Sequence, residues 1–476
     1  MELLLASLAG CATATAEFVF KNWEWGGGGG EGADGVTVES LSFEIEAWRD
    51  QRGVLTMPLS KDPPVPAMLQ SITGTVKVHT VPYLPTSELQ PLAHAVESRC
   101  PIANMLTLSG CNLDLKWSSV APPQTVNILG GGLAGLSLAY HLTRLSPSTR
   151  VTIQDPNLPG EGGGSAVAGG LLHPYSPEGK MVENGLSYFR SSLDLIEAAM
   201  TVDSALILTS SIYKAALSAE SAASLQSLPH TFLDPPEFDS LTGATSFGGV
   251  KLEPGVVVDA QSYCKALYKY VDELAENGVE WRQAEVDWDS VPPPSPSTAT
   301  VFAGGPSMLS SSRFGALPCK PVMGQSLVVS RDDGDELTLR GDKAVIAGKY
   351  IAPKTGGRAV VGATQEFGDS ALAPDQVAAD LSERAGQLGA EVRVEGGWKV
   401  DEVTRGVKSV PKRTNKGRMP IFGEIAHGEY VFMGLGSRGF LWHGECGKKL
   451  ASVILGLEGE DTNKKHGSWW RKDLIK

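Results

Sequence analysis

Val126-Asn127-Ile128-Leu129-Gly130-Gly131-Gly132-Leu133-Ala134-Gly135 is followed, 20 residues beyond its last glycine, by Asp155. Residues 126–129 are a short apolar run, as a buried strand requires. Residues 130–135 satisfy G-x-G-x-x-G, 136–145 carry a helical apolar pattern, and 151–154 form a second apolar run. Strand, glycine turn, helix and strand predict a βαβ unit and therefore a parallel sheet. Each glycine has its own task. Gly130 permits the tight turn, Gly132 lets the backbone approach a pyrophosphate, and Gly135 allows close packing of helix on strand. The following N–H groups, from Leu133 and Ala134 onward, offer partial positive charge to phosphates. Asp155 stands where a carboxylate accepts hydrogen bonds from ribose hydroxyls. The stretch predicts a dinucleotide-binding domain.

The next segment separates the cofactors. Gly164-Ser165-Ala166-Val167-Ala168-Gly169-Gly170-Leu171-Leu172-His173-Pro174 follows the second strand directly. It resembles the flavin-facing loop of the D-amino acid oxidase-like FAD-dependent oxidoreductases. That group includes glycine oxidase, sarcosine oxidase and the oxidase domain of the tRNA-modifying protein MnmC. Small residues there let backbone N–H groups lie against the isoalloxazine ring. Further resemblances follow in the family's order. Gly255-Val256-Val257-Val258-Asp259 with a helix over 260–277 resembles its central element. Thr300-Val301-Phe302-Ala303-Gly304-Gly305 resembles its pyrophosphate turn. Pro321-Val322-Met323-Gly324-Gln325 resembles "PVRGQ", with Met323 in place of Arg. Tyr350-Ile351-Ala352-Pro353 with residues 357–364 resembles its substrate-domain strand pair. Gly434-Leu435-Gly436-Ser437-Arg438-Gly439-Phe440 resembles its last glycine turn and opens a helix to about 455.

The resemblance spans residues 125–457 and implies a Rossmann-type FAD half and an antiparallel β substrate half. It implies FAD held by Gly130, Gly132, Leu133, Ala134, Gly135, Asp155, Ser165, Ala166, Gly169 and Gly170. Val286, Ala303, Gly304, Gly434, Gly436, Ser437, Arg438, Gly439 and Phe440 complete that wall. The implied reaction is oxidation of a C–N bond of an amine or amino acid by hydride transfer to flavin, with O2 or another acceptor downstream. Arg438 is expected to contact substrate or flavin, and Tyr350 to form an active-site wall or a core contact. Where the amino-acid oxidases have Arg in "GLRP", this chain has Gly406-Val407-Lys408-Ser409. Lys408 cannot reproduce the planar, bidentate grip of Arg on a carboxylate. Arg405, Arg413 and Arg418 are the alternatives for that task. His173 has the pKa range for proton transfer, although a histidine beside Pro174 also fits a structural role.

Composition narrows the function. Lys+Arg 41 against Asp+Glu 54 gives a net charge of −13, which disfavours nucleic acid as a general partner. A tRNA substrate rests on the family resemblance and on the basic tail Lys464-Lys465 to Trp469-Trp470-Arg471-Lys472. No uninterrupted apolar run has the length of a membrane span, so no membrane is expected. Six scattered cysteines without a C-x-x-C pair fit a reducing compartment, taken as the cytoplasm, and no metal-ligand spacing occurs.

Ala121-Pro122-Pro123-Gln124 divides the chain, giving domains 1–120 and 121–476. Before it, the pattern predicts a helix from Glu2 to about Lys21, the linker-like run Gly26-Gly27-Gly28-Gly29-Gly30, two strands, a helix over 86–98 and a strand including Leu106, Leu108, Leu113, Leu115 and Trp117. Leu8-Ala9-Gly10-Cys11 has the look of a lipoprotein cleavage box. The preceding residues lack Lys or Arg, however, so a buried helix is the better reading. The helix starts abruptly, as in a chain that lacks an N-terminal piece, and an organellar location is the alternative if that piece is a transit peptide. Residues 2–11 resemble the central helix of the OsmC/Ohr thiol peroxidases, and Arg99-Cys100-Pro101-Ile102-Ala103 resembles that family's second cysteine site. The resemblance implies a small α+β domain, a homodimer, Cys11 as peroxidatic thiol and Cys100 as resolving thiol. The charges that would activate Cys11 are absent, because Met1 stands where the family has Glu. Cys111, Cys264, Cys319 and Cys446 read as core thiols.

Overall fold

The computed structural model describes residues 2–23, 36–81, 83–295, 297–331, 343–367, 371–389, 398–414 and 417–457. The five-glycine run, Pro296 of the proline loop, and the basic tail lie outside them. Two compact units form: Met1–Pro123 together with residues 452–457, and Gln124–Ala451.

The first unit is α+β. The helix Glu2–Lys21 turns Leu8, Ala12, Ala16, Val19 and Phe20 inward. It is long and apolar enough, by length and composition alone, to cross a membrane. That corrects the expectation that no segment passes this test. The inward-facing Ala12 and Ala16 of this helix pack in the core with Val76, Leu89, Leu92 and Cys100. Strands Thr37–Trp48 and Ser71–Val81 pair antiparallel, and Asn112–Ser119 adds parallel to the second. The helix Thr86–Arg99 buries Leu89, Leu92, Ala93 and Val96, the predicted face. Leu106 and Leu108 do not extend the last strand. They belong to a separate helix, Pro101–Leu108. Pro101 occupies its first turn, where a missing N–H costs nothing, and on this helix Leu106 faces the core while Leu108 faces solvent.

The second unit is built on a six-stranded sheet in the order Val279–Gln283, Arg150–Asp155, Thr125–Leu129, Thr298–Phe302, Glu429–Met433, Ile421–Ala426. All neighbours are parallel except the last pair. The helix Leu133–Leu145 starts three residues earlier than its apolar pattern, so Leu133, Ala134 and Gly135 form its first turn.

Leu171–Leu172, Val256–Val258 and Ile207–Thr209 form a small three-stranded sheet, and the remaining strands form a larger one in which Cys319–Arg331, Arg358–Gly362, Lys349–Lys354, Ala344–Ala347 and Ile212–Ala215 lie side by side. Trp398–Pro411 pairs along the whole of Cys319–Arg331. The expected antiparallel sheet is mixed: Ala344–Ala347 runs parallel to Ile212–Ala215. Strands so distant in sequence need no hairpin, so the antiparallel constraint of a short turn does not apply. The register aligns Lys214 with Ile346, Ile346 with Tyr350, and Tyr350 with Gly362. Residues paired directly across strands share a face, so this row sets one side of the sheet.

Candidate active site

The glycine turn is shaped by contacts that leave no space for side chains. Gly130 has φ +118°, and a Cβ there would lie 2.4 Å from the carbonyl oxygen of Ala303. This brings the first glycine turn against the Ala303-Gly304 turn. A Cβ on Gly135 would lie 1.9 Å from the Gly130 carbonyl oxygen, so helix and turn meet in direct contact. Asp155 braces the same turn. Its Oδ2 accepts from the Gly131 N–H at 2.8 Å, and its Oδ1 accepts from the Asn157 backbone N–H at 2.9 Å. The Ser165 hydroxyl accepts from the Leu133 N–H at 3.1 Å, at the start of the helix.

These segments enclose a cavity of about 690 Å³. Its wall contains Gly130, Gly132, Leu133, Ala134, Asp155 and Ser165 from the dinucleotide half, Gly169 and Gly170 from the following loop, and Val286, Ala303 and Gly304 beyond. Gly434, Gly436, Ser437, Gly439 and Phe440 close it from the last glycine turn, and Tyr350 and Lys408 from the larger sheet. Three expected members are elsewhere. Gly135 lies behind the turn it packs against. Ala166 belongs to the one-turn helix Gly163–Ala166, which cannot face all four residues one way. Arg438 follows Ser437 but is not among the wall residues, and its charge acts on His173 and Glu178. Cys11 and Cys100 belong to the first unit.

Tyr350 is held by two glycines. A Cβ on Gly169 would lie 2.5 Å from its ring, and one on Gly362 would lie 2.4 Å from Cζ and the hydroxyl oxygen. The hydroxyl lies 3.5 Å from Ser326 Oγ. Burial raises its pKa, so it stays a neutral phenol. Lys408 lies on Trp398–Pro411, opposite Val322. Its Nζ donates to Ser437 Oγ at 3.3 Å. Burial and, second, the charge of Lys349 push its pKa below the ordinary lysine value. Lys349 itself donates to the Ala363 carbonyl at 2.7 Å and lies 3.7 Å from Asp380. Lys408 has no ion pair among the described residues.

Sequence motifs did not point to Trp288 or Ser326. A Cβ on Gly304 would lie 2.2 Å from Trp288, which thereby floors the pyrophosphate turn. No spacing rule announces that tryptophan. Ser326 follows from strand alternation, two residues after Gly324, once the register is known.

The cavity fits FAD on its own geometry. Gly130 and Gly170 sit where a Cβ would collide with backbone and Gly132, Gly169 and Gly304 where it would collide with side chains, the cavity meets a helix N-terminus, and its volume suits a cofactor. Residues 125–453 match the family described as FAD dependent oxidoreductase, called DAO. The chain belongs to the FAD-dependent oxidoreductases. The loop and turns of the second unit had led us to expect that family. Residues 1–116 match the OsmC-like proteins and form an OsmC-like domain. Among curated proteins, tRNA 5-methylaminomethyl-2-thiouridine biosynthesis bifunctional protein MnmC of Nitrosospira multiformis is 24% identical over 367 residues, 70% of this chain and 57% of that protein. The chain thus spans a little over half the length of that relative. Glycine oxidase from Geobacillus kaustophilus superposes with a TM-score of 0.58 at 22% identity, covering 70% of this chain and 95% of that one. Iminodiacetate oxidase from Chelativorans sp. BNC1 gives 0.57 at 19% identity, covering 72% and 98%.

In the OsmC-like domain, Cys100 belongs to the hydrophobic core and Cys11 packs against that core. Cys100 is buried at the start of Pro101–Leu108, and burial pushes its thiol pKa up. The sequence anticipated the pair, and the two come together across two helices.

Proposed function

We propose that the FAD domain oxidises the C–N bond of an amine bearing an acidic group, with O2 or another acceptor taking the electrons. The observation that carries this reading is Lys408, a desolvated cation on the cavity wall without a carboxylate partner among the described residues. A charge kept out of water needs a counter-charge, and a substrate anion supplies it. Bound FAD supplies the two-electron acceptor. The substrate loses a hydride from carbon and a proton from nitrogen, giving an imine that water hydrolyses. Lys408 orients the substrate by its acid, and Tyr350, fixed between Gly169 and Gly362, limits where the amine can lie. Anaerobic addition of amines to the holoprotein tests this. Glycine, sarcosine, iminodiacetate and a tRNA bearing carboxymethylaminomethyl-uridine form the panel. Bleaching of the flavin by an acidic amine supports the reading, and bleaching only by uncharged amines would sink it. The tRNA version draws support from the MnmC relatives and is opposed by the net charge of −13.

A second activity rests on Cys11 packing against the core that contains Cys100. We propose that a hydroperoxide oxidises Cys11 to a sulfenic acid with release of an alcohol or water, and that Cys100 displaces water from it to form a disulfide. Loss of two titratable thiols per chain on peroxide addition is the expected result. Retention of both thiols refutes this activity without touching the flavin reading.

A further inference from the structure

Beside the flavin cavity lies a group of basic side chains that the proposed reaction does not use. Lys214 is on Ile212–Ala215, in the row Lys214, Ile346, Tyr350, Gly362. It therefore shares a sheet face with Tyr350, two strands away, at a backbone separation of about 10 Å. Its stem runs along Gly179, where a Cβ would lie 3.6 Å from Lys214 Cδ. His173 follows Leu171, a cavity residue, by two positions, and Arg438 follows Ser437, which bonds Lys408. The charges of Arg438 and Lys214 both act on His173, so these three segments bring their side chains into one neighbourhood.

Neither of the two cations is held in an ion pair there. Lys214 and Arg438 have neither a hydrogen bond nor an ion pair among the described residues. Glu178, an exposed carboxylate, is the acid whose charge reaches both, and Arg413 acts on Glu178 as well. Burial lowers the pKa of both cations, and burial first, then the charges of Arg438 and Lys214, bring His173 down to about 4. His173 is therefore neutral at pH 7. Its Nδ1 accepts from the Tyr175 N–H at 3.3 Å, so Nε2 carries the proton and is a donor. Two desolvated cations and one neutral N–H donor form a set without an internal acceptor.

We propose that Lys214, Arg438 and His173 form a second anion-binding site, which takes an additional carboxylate or phosphate of the substrate. The site deepens the proposed function: the first acid is held by Lys408, and the second selects doubly acidic amines over singly acidic ones. The two cations contribute charge, and the His173 N–H contributes direction.

A binding experiment separates this from amine oxidation itself. The holoprotein is titrated with acetate, with dicarboxylates from malonate to adipate, and with inorganic phosphate, followed by the visible difference spectrum of the flavin. At least one dicarboxylate is expected to bind about tenfold more tightly than acetate. Lys214→Met and Arg438→Met are expected to remove that advantage while acetate binding changes less than about twofold, and His173→Gln, which keeps an N–H donor, to preserve most of it. Flavin content and melting temperature establish that each variant is folded. Tight phosphate binding lost in the same variants assigns the site to phosphate-bearing substrates. Its absence assigns it to dicarboxylates. No dicarboxylate or phosphate advantage in the unmodified protein, or an advantage kept by both Met variants, overturns the proposal. None of these outcomes depends on whether an amine is oxidised.

Discussion

Gly169 and Tyr350 are in such close contact that a single methyl group on the glycine would lie 2.5 Å from the phenol ring. The first residue belongs to the loop expected to face the flavin, and the second to the sheet expected to hold substrate. Their contact is where the two halves of the oxidoreductase meet. A tyrosine pinned this way has one position available, because Gly362 closes the other side of the ring. Gly169→Ala is therefore expected to displace the ring at a cost of about 1–3 kcal/mol, the usual penalty for overpacking. A lower melting temperature and a shifted flavin spectrum are the expected readouts. An unchanged spectrum with full stability contradicts the contact.

Asp155 offers a second test. Its carboxylate accepts the Gly131 N–H and the Asn157 N–H at once, so it shapes the glycine turn before any ligand arrives. Asp155→Ala leaves those donors without their charged acceptor. FAD affinity is expected to fall by about tenfold or more, the size of one hydrogen bond to a charged group. Equilibrium dialysis against FAD checks it. Asp155→Asn keeps one acceptor oxygen and is expected to fall between the two.

Lys408 should trade stability for binding. Its pKa is lowered in the folded protein. The unfolded chain therefore binds more protons in the window between the lowered and ordinary lysine values, and stability rises with pH there. Below that window the buried charge opposes folding, so Lys408→Met is expected to raise the melting temperature at neutral pH. The same change removes the cation that holds the substrate acid. It is expected to raise KM for acidic amines about 10- to 100-fold, with less effect on kcat. In the unmodified protein, kcat/KM for such amines is expected to hold at neutral pH and fall as pH rises through the lowered lysine value. A profile that stays flat beyond the ordinary lysine pKa contradicts the role.

Much of this site was legible in the sequence, for reasons specific to particular residues. Gly130, Gly132, Gly135 and Asp155 carry a spacing that only a strand, a turn and a helix in contact can use, so the βαβ unit followed directly. The flavin-facing loop was readable because its small residues are needed one after another. By contrast, the neighbourhood of Lys214 was not legible. It exists because Ile212–Ala215 pairs with Ala344–Ala347 across a long stretch of chain, and no local propensity encodes such pairing. Trp288 was missed for a related reason: its partner is the glycine turn at Gly304, and a lone tryptophan has no spacing to recognise. Leu106 and Leu108 misled because their spacing is that of one strand face, whereas in the helix they form only one inward contact: Leu106 is buried and Leu108 is exposed. Pro101, at the start of the helix, was the better guide.

The last prediction concerns the OsmC-like domain. Cys100 is buried, and its thiol is raised above the ordinary cysteine value by that burial first, with Cys11 adding to it. The thiolate is the attacking species in disulfide chemistry. Closure of the Cys11–Cys100 bond is therefore expected to be slow at neutral pH and to accelerate as pH rises toward the raised value. The first step, oxidation of Cys11, does not draw on the Cys100 thiolate, so the two steps separate kinetically. At neutral pH a sulfenic acid on Cys11 should accumulate and be trapped by dimedone, and at alkaline pH the trapping yield should fall as disulfide forms. Cys100→Ser is expected to keep the trapped species at every pH. A disulfide that forms equally fast across the range would mean that Cys100 is ionised by an interaction other than those its buried position provides.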